Sequence, residues 1–600
     1  MFKPLFCILF TSVLAVCTRS DVALGVALDS SHPEALMSAI MHAYRSGSGQ
    51  IVIPHGVYKL PEPRGGFYLS FKEMKNFRIV GKGVTLLRTD PTKGGILFDH
   101  CSNVTLEGFT LRCDPLPYTQ GRVIALSDSG ALSQVVRICR GYRNDLASFS
   151  TTTVFGSKTR RIWPGETPIS PQQIKKIGRR TFRLTPFYVP CKVGDWEVFR
   201  GAGASDLAIL ACHHMRIERI TIMGGTGYCF GETGGQGGNL YIDDSILYPP
   251  APREANSPPI LAACSDGLHS NSVRHGPTVL DCHFEGTGDD SLAIQGWYAI
   301  IQHASGRNWV AEFPANVGTD YCKKGDLLSV TDSHGTYLGS VHVVRKKQLI
   351  RPNPRWQARP SGVVGAAFPG DLYNVTVSTP INHAAFGDRI NDVNTDGSGF
   401  IVRGCVIRHG YSRGMVIKAD NGVIEDNTVD SCANGDIVLS PEPAWDESGN
   451  SSGVLIEGNL IRSTGYVYPA QPDWNEAGAL SIIGPTGPHP NRFGHRGIAV
   501  VQNHFIGNNG INLLLTDCQN VIVADNIFSR AMRSFDNRGQ KCGYDPSSLI
   551  YLQQCNSVLL AHNCAIAPGP AMKKLLGIGP DVSNVKGIKA GVKTIPAVVP

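Results

Sequence analysis

GVIEDNTV at Gly422–Val429, VLIEGNLI at Val454–Ile461, IAVVQNHF at Ile498–Phe505, NVIVADNIF at Asn520–Phe528 and SVLLAHNC at Ser557–Cys564 are versions of one short motif. Each is an alternating apolar run broken by an asparagine, so Asn427, Asn459, Asn503, Asn526 and Asn563 hold equivalent places. Alternation with period two marks a strand with one buried face. Recurrence at irregular spacings of a few tens of residues marks stacked coils. A parallel β-helix accounts for both, because like residues then lie about 4.8 Å apart on successive coils and a turn asparagine can bond the coils above and below. Versions without the turn asparagine extend upstream as FIVRGCVI (Phe400–Ile407), TVLDCHFEG (Thr278–Gly286), MRIERITI (Met215–Ile222), NVTLEGFTL (Asn103–Leu111) and NFRIVGKGVTL (Asn76–Leu86). The predicted fold class is all-β, a right-handed parallel β-helix.

Composition agrees with this reading. With 67 glycines and 38 prolines among 600 residues and only 18% charged side chains, the chain is neither disordered nor a long-helix protein. A net charge of +7 without a basic block gives no indication of a nucleic-acid partner, and no membrane span is expected. Residues 1–20, MFKPLFCILFTSVLAVCTRS, have the layout of a signal peptide, with cleavage after Ala15 or Ser20 and export to a secreted or periplasmic location. A lipoprotein anchor at Cys17 is disfavoured by the bulky Val16 before it. The seventeen cysteines show no CxxC spacing and read as core fillers rather than zinc ligands; no metal or cofactor is expected.

Ser31 and Glu34 suggest a capping box for one opening helix, with Leu36, Met37, Ile40 and Tyr44 as its apolar stripe and a role as plug of the solenoid's open end. N-terminal coils then span 21–121. Two long stretches, 122–200 and 296–398, interrupt the rhythm and share a Gly-Asp-strand pattern, CKVGDWEVF (Cys191–Phe199) and CKKGDLLSV (Cys322–Val330). Each is expected to be a small inserted antiparallel β-barrel at the groove's rim. The coils resume over 201–295 and 399–570, GPTGPHPNRFG (Gly484–Gly494) reads as a surface loop, and 571–600 reads as a tail. The oligomeric state is open, with a homo-oligomer through the inserts as one arrangement.

SDGLHSNS (Ser265–Ser272) and GTGDDSLAI (Gly286–Ile294) hold the clearest chemical constellation. Asp266 and Asp289 are 23 residues apart, about one coil, so the spacing predicts carboxylates on adjacent rungs. Gly286 and Gly288 permit a bend that brings Asp290 to the same groove. Three close carboxylates raise at least one pKa, which leaves one group protonated for a leaving oxygen while another activates water, as glycoside hydrolysis requires. Asp243-Asp244, with no third carboxylate one coil away, reads instead as turn structure. His269, Arg413, Lys418, Asp420, Glu442, Trp445 and Glu447 are candidates for holding sugar. Gly410, Ser412 and Gly414 match a nucleophile elbow only in spelling, since strand-like residues flank them on both sides. Gly224–Gly238, rich in glycine, reads as turns.

Together, the opening helix with IVIPHGVY, then CDPLPYTQG (Cys113–Gly121), DGLHS, GTGDDSLAI and RGMVIKADNGVIEDN resemble glycoside hydrolase family 110, the exo-acting α-1,3-galactosidases, over about residues 25 to 565. The resemblance implies an inverting, metal-independent enzyme that removes terminal α-1,3-linked galactose from blood-group B or linear αGal glycans. It implies Asp266, Asp289 and Asp290 as catalytic, with Asp266 as acid and the pair as base. Polygalacturonases share such a scaffold and trio, but here Cys264 and Ser265 stand in place of their asparagine and threonine. No Gly-His-Gly follows the pair, and Val416 replaces an arginine that would recognise a substrate carboxylate. A polygalacturonase-like hydrolase, a calcium-dependent lyase and a glycan-binding adhesin are the alternatives.

Overall fold

The computed structural model describes residues 30–127, 133–168, 173–185, 191–201, 203–314, 320–333, 335–349, 370–464, 475–484, 494–587 and 591–595. Residues 1–20, expected as a signal peptide and including Cys17, and the interior of the Gly484–Gly494 loop lie outside them.

Three parallel ladders run the length of the molecule. One joins Leu207–Leu210, Phe230–Thr233, Leu268–Asn271, the start of Leu292–Ser305, Met415–Ile417 and Ile437–Leu439. A second joins Arg216–Glu218, Leu240–Ile242, Thr278–Leu280, Ile401–Arg403, Val423–Glu425 and Leu455–Glu457. The third joins Thr221–Met223, Ser245–Leu247, His283–Glu285, Val406–Arg408, Thr428–Asp430 and Leu460–Arg462. Each coil supplies one strand to each ladder, which makes the chain a parallel β-helix. In the second and third ladders a strand is only three residues long and turns its middle side chain inward. Ile217, Tyr241, Val279, Val402, Ile424 and Ile456 form one such fully buried column. Burying each is worth about 1.5–3 kcal/mol, so the columns hold the coils in register.

The turn between the second and third ladders has a constant design. A residue with φ near +55° precedes an inward polar one: Asp426 before Asn427, Gln502 before Asn503, Asp525 before Asn526 and His562 before Asn563, with glycine in that place at Gly404 and Gly458. The left-handed residue reverses the chain and frees the next side chain to face the neighbouring coil. Asn459 Oδ1 accepts from the Asn427 backbone N–H (3.0 Å) and amide (2.9 Å), and its own amide donates to Ile424 O (2.9 Å). The same bonds link Asn459 to Asn503, Asn503 to Asn526 and Asn526 to Asn563. Upstream, Asp244 fills the position and accepts from Ile220 N–H (2.7 Å). Asp243-Asp244 is therefore turn structure, as expected.

Several details depart from the sequence reading. Helix α1 (Leu36–Arg45) packs Leu36, Ile40 and Ala43 into the first coils, but its N-caps are His32 and Ala35, neither of which makes a side-chain cap bond. The capping box is not formed, because a 3-10 turn at Pro33–Ala35 starts the helix instead. The first insert already begins with strand Tyr118–Ser127 and is a seven-stranded antiparallel sheet whose two outer strands are not paired with each other among the described residues. In the second insert every strand pairs with two others, and the pairings return to the strand they left. Beyond residue 570, Lys574–Ile578 and Val592–Ile595 add parallel strands to the solenoid, so the helical coils outlast the apolar periodicity. The fifteen described cysteines are free thiols, mostly buried, and Cys282 and Cys405 occupy the ladder position of the asparagines.

Replacing Asn459 by alanine removes the acceptor of two Asn427 N–H groups and the donor to the Ile424 and Glu457 carbonyls. At about 1–3 kcal/mol per orphaned buried group, the N459A variant is expected to lose about 3 kcal/mol of stability or more in denaturant unfolding, whereas the exposed Asn584→Ala change should be near neutral.

Candidate active site

The first ladder builds the site. Leu268 pairs with Leu292, and Leu292 with Met415, so extending the register two residues stacks Asp266, Asp290 and Arg413 on three consecutive coils. Asp266 is thus aligned with Asp290, 24 residues on, and not with Asp289 as the 23-residue spacing suggested. Asp289 sits at the bend just before the strand. That bend needs Gly288, where a Cβ would lie 2.5 Å from the Cys264 carbonyl oxygen of the preceding coil.

The three carboxylates have different partners. Asp290 takes both arms of Arg413, Nε to Oδ1 at 2.9 Å and Nη2 to Oδ2 at 2.8 Å, a two-armed ion pair. Asp266 Oδ2 accepts from His269 Nδ1 at 2.6 Å, and the Tyr228 ring stacks on the imidazole at 4.1 Å. Burial raises the Asp266 pKa, partly offset by His269. Burial pulls His269 down, but the Asp266 hydrogen bond and charge outweigh it and leave its pKa above the ordinary value. Asp289 forms no ion pair among the described residues. Burial first, then the charges of Asp266 and Asp290, push its pKa up to about 8. It faces a cavity of about 570 Å³ lined also by Phe67, Thr151, Arg200, Tyr228 and Ser265. Thr151 and Arg200 belong to the first insert, which therefore shapes the pocket wall.

Behind the trio lies a buried ionic network. Arg413 Nη1 donates to Glu442 Oε1 (2.7 Å) and Glu476 Oε1 (2.8 Å). Lys418 Nζ donates to Glu442 Oε2, Glu447 Oε2 and Gln295 Oε1, each at 2.7 Å. Burial alone would raise Glu442, yet Arg413 and Lys418 hold it at about 2. The ammonium of Lys418 has three protons and all three are committed. Lys418, Arg413, Glu442 and Glu447, expected as sugar ligands, are drawn instead into pairs with one another and with Asp290. Trp445 is exposed on the short turn Pro443–Trp445 between the two glutamates. Asp420 lies apart from the trio, with Oδ1 accepting from Ser452 N–H at 2.6 Å. It caps a turn, and burial raises its pKa to about 7. Gly410, Ser412 and Gly414 lead into strand Met415–Ile417 rather than a helix, so no nucleophile elbow exists there.

Tyr228, Arg200, Gln295 and Glu476 belong to the site but were not singled out from the sequence. Tyr228 was hidden in the glycine-rich run read as turns, and Glu476 follows no motif. Gln295 could have been found, since it closes the strand that begins at the aspartate pair.

No protein-family model matches the chain, and no curated protein matches it by sequence. Among solved structures, the Azotobacter vinelandii mannuronan C-5 epimerase AlgE6 A-module aligns over 95% of this chain and 96% of its own, at 10% identity and a TM-score of 0.39. A tailspike protein mutant of E. coli bacteriophage HK620 in complex with a pentasaccharide aligns over 94% of this chain and 76% of its own, at 11% identity and 0.37. PfbA, a surface adhesin of Streptococcus pneumoniae, aligns over 94% and 89%, at 10% identity and 0.34. Likenesses this weak carry no argument, and the fold rests on this chain's own strand pairings.

A carboxyl whose pKa is raised on folding stabilises the protein fully below its unfolded value near 4, and that contribution fades as pH rises through the folded value of about 8. Asp289→Asn lacks this titration. Its Tm should match wild type near pH 4 and exceed it by on the order of 5 °C by pH 9, read by calorimetry across that range. A constant difference would place the Asp289 pKa in the ordinary range.

Proposed function

We propose that the chain is an inverting exo-glycosidase acting on terminal α-1,3-linked galactose, with the glycan as its partner and Asp266, Asp289 and Asp290 as catalytic residues. One observation carries the reading: of three clustered carboxylates, the one facing the cavity is held protonated near neutral pH, while its two neighbours each meet a basic side chain. That is the division of labour which protonates a leaving oxygen and deprotonates a water in the same active site. The substrate class rests on the resemblance to glycoside hydrolase family 110.

In this mechanism Asp289 gives its proton to the glycosidic oxygen as the bond to the anomeric carbon breaks. Asp266, hydrogen-bonded to His269, and Asp290, paired with Arg413, are the candidates to take a proton from water as it attacks the opposite face. The anomeric centre inverts. This assigns the acid to Asp289 rather than to Asp266, because Asp266 Oδ2 is already engaged by an imidazole and Asp289 is the group with a proton to give. The second insert's ring of strand pairings fits the expected small barrel, α1 fits an end plug, and export fits an enzyme that meets glycans outside the cell.

Proton NMR of the first turnover on an α-1,3-galactosyl trisaccharide tests the reading. The expected product is β-galactose, with activity falling as pH rises through about 8. Asp266→Asn, Asp289→Asn and Asp290→Asn should each lose 10²-fold or more in kcat, an order-of-magnitude figure for removed acid–base assistance. Initial α-galactose would remove the inverting mechanism. Tight glycan binding without release of sugar would favour the adhesin.

A further inference from the structure

Three hydrogen bonds run from Lys418 to Asp266 through two intervening side chains, and the donor at one end determines the proton positions along the whole chain. Lys418 Nζ can only donate, so the Gln295 atom 2.7 Å from it must be the amide oxygen. The amide nitrogen then faces the other way, 3.1 Å from His269 Nε2. An amide nitrogen can only donate in turn, so Nε2 must present its lone pair. The remaining ring proton is on Nδ1 and points at Asp266 Oδ2, 2.6 Å away. All four side chains are buried: Lys418 1%, Gln295 0%, His269 6% and Asp266 6% exposed.

We propose that Gln295 and Lys418 are positioning residues that hold His269 as the neutral Nδ1–H tautomer, which keeps Asp266 Oδ2 a hydrogen-bond acceptor and orients its carboxyl group to take a proton from water. The inference rests on the glycosidase reading for its consequence in catalysis, but the proton assignment stands on the geometry alone. The groups facing the imidazole are Asp266 on its own strand, Gln295 and Lys418 on the next coils, Glu447 on the turn above and the Tyr228 ring stacked on it. Burial, the largest influence, opposes a second ring proton, as does Lys418, while Asp266 and Glu447 favour it. The amide decides the contest. A proton on Nε2 would be aimed at the amide hydrogens of Gln295, and turning that amide over would aim the same hydrogens at the Lys418 ammonium. Lys418 cannot move away from it without abandoning Glu442 and Glu447, the two carboxylates that hold it.

This arrangement gives His269 a defined limit. With Nε2 engaged as an acceptor, the ring orients Asp266 and has no free nitrogen with which to take up the proton that Asp266 receives. Gln295 thus serves the reaction without reaching the cavity, where it is not among the lining side chains.

The test is ¹⁵N-histidine labelling of the full-length protein, with the His269 signals identified by their loss in His269→Phe, and a Gln295→Glu variant beside wild type. In wild type at pH 7 we expect His269 to show one protonated nitrogen, Nδ1, and one unprotonated nitrogen, Nε2. In Gln295→Glu, where a carboxylate replaces the amide, both nitrogens should be protonated, while Lys418 keeps its acceptor. On the galactosyl substrate that variant should lose 10-fold or more in kcat with KM changed less than 3-fold, and its acidic limb should shift in pH. A doubly protonated or Nε2–H ring in wild type overturns the proposal, and that measurement stands if the variant fails to fold. An Nδ1–H ring in a protein that releases no galactose would leave the proton assignment intact and refute the glycosidase reading instead. A variant with the altered ring protonation and wild-type kcat, KM and pH profile would overturn the positioning role.

Discussion

The site depends on the register between Leu268, Leu292 and Met415, because this pairing decides which side chains share a column. In a parallel ladder the spacing between coils is set by backbone hydrogen bonds at about 4.8 Å, so two residues in the same column are in contact range whatever their separation in sequence. Asp290 and Arg413 are 123 positions apart and form a two-armed ion pair, since the second insert leaves the solenoid after Gln295 and returns it to the same register. A slip of one residue would turn every outward side chain of the strand inward. The inward columns of isoleucine, valine and leucine oppose such a slip, and the asparagine stack opposes it independently at the turns.

Register also explains how so many charges can be buried. Arg413 and Lys418 are almost wholly enclosed, as are Glu442 and Glu476. Taking such groups from water is costly unless each is paired and hydrogen-bonded, and removing one partner leaves the other stranded at a cost of several kcal/mol. The network therefore constrains its members to one geometry, and Asp290 inherits that rigidity through Arg413. Asp289 stands outside the network, at a bend rather than on a rung, where burial first and then the charges of Asp266 and Asp290 favour its protonated form. The contrast between a carboxylate fixed by a guanidinium and a neighbouring carboxyl left without a cation is what gives the cluster chemical asymmetry.

The solenoid was legible because its determinants are local. Each three-residue strand carries one inward apolar side chain, and each such turn of the later coils carries a left-handed residue followed by asparagine, patterns that survive in a single sequence without knowledge of what lies above or below. The aspartate trio was legible for a related reason: the glycines beside it announce a bend, and a coil length of two dozen residues is enough to bring 266 and 290 near each other. The error of one residue in that alignment shows the limit. Spacing alone does not say which member of an adjacent pair continues the ladder, and here Gly288 and the close carbonyl of Cys264 assign the rung to Asp290.

The roles of the basic residues could not be read in the same way. Arg413, Lys418, Glu442 and Glu447 were identified as site residues, yet whether each faces sugar or another side chain depends on how many of its donors and acceptors are already satisfied. Satisfaction is a property of the assembled coils. Likewise the strands of the final thirty residues were invisible to periodicity because the solenoid beneath supplies their partner, and pairing with an existing edge asks less of a sequence than nucleating one. Sequence by itself determined the all-β class, the stacked coils, the two interruptions and the acidic trio, all of which rest on short-range patterns of side-chain type. Tertiary structure decided which carboxyl keeps its proton, which cations are internally neutralised and how the amide of Gln295 points, because each depends on groups brought within hydrogen-bond reach only when distant coils stack.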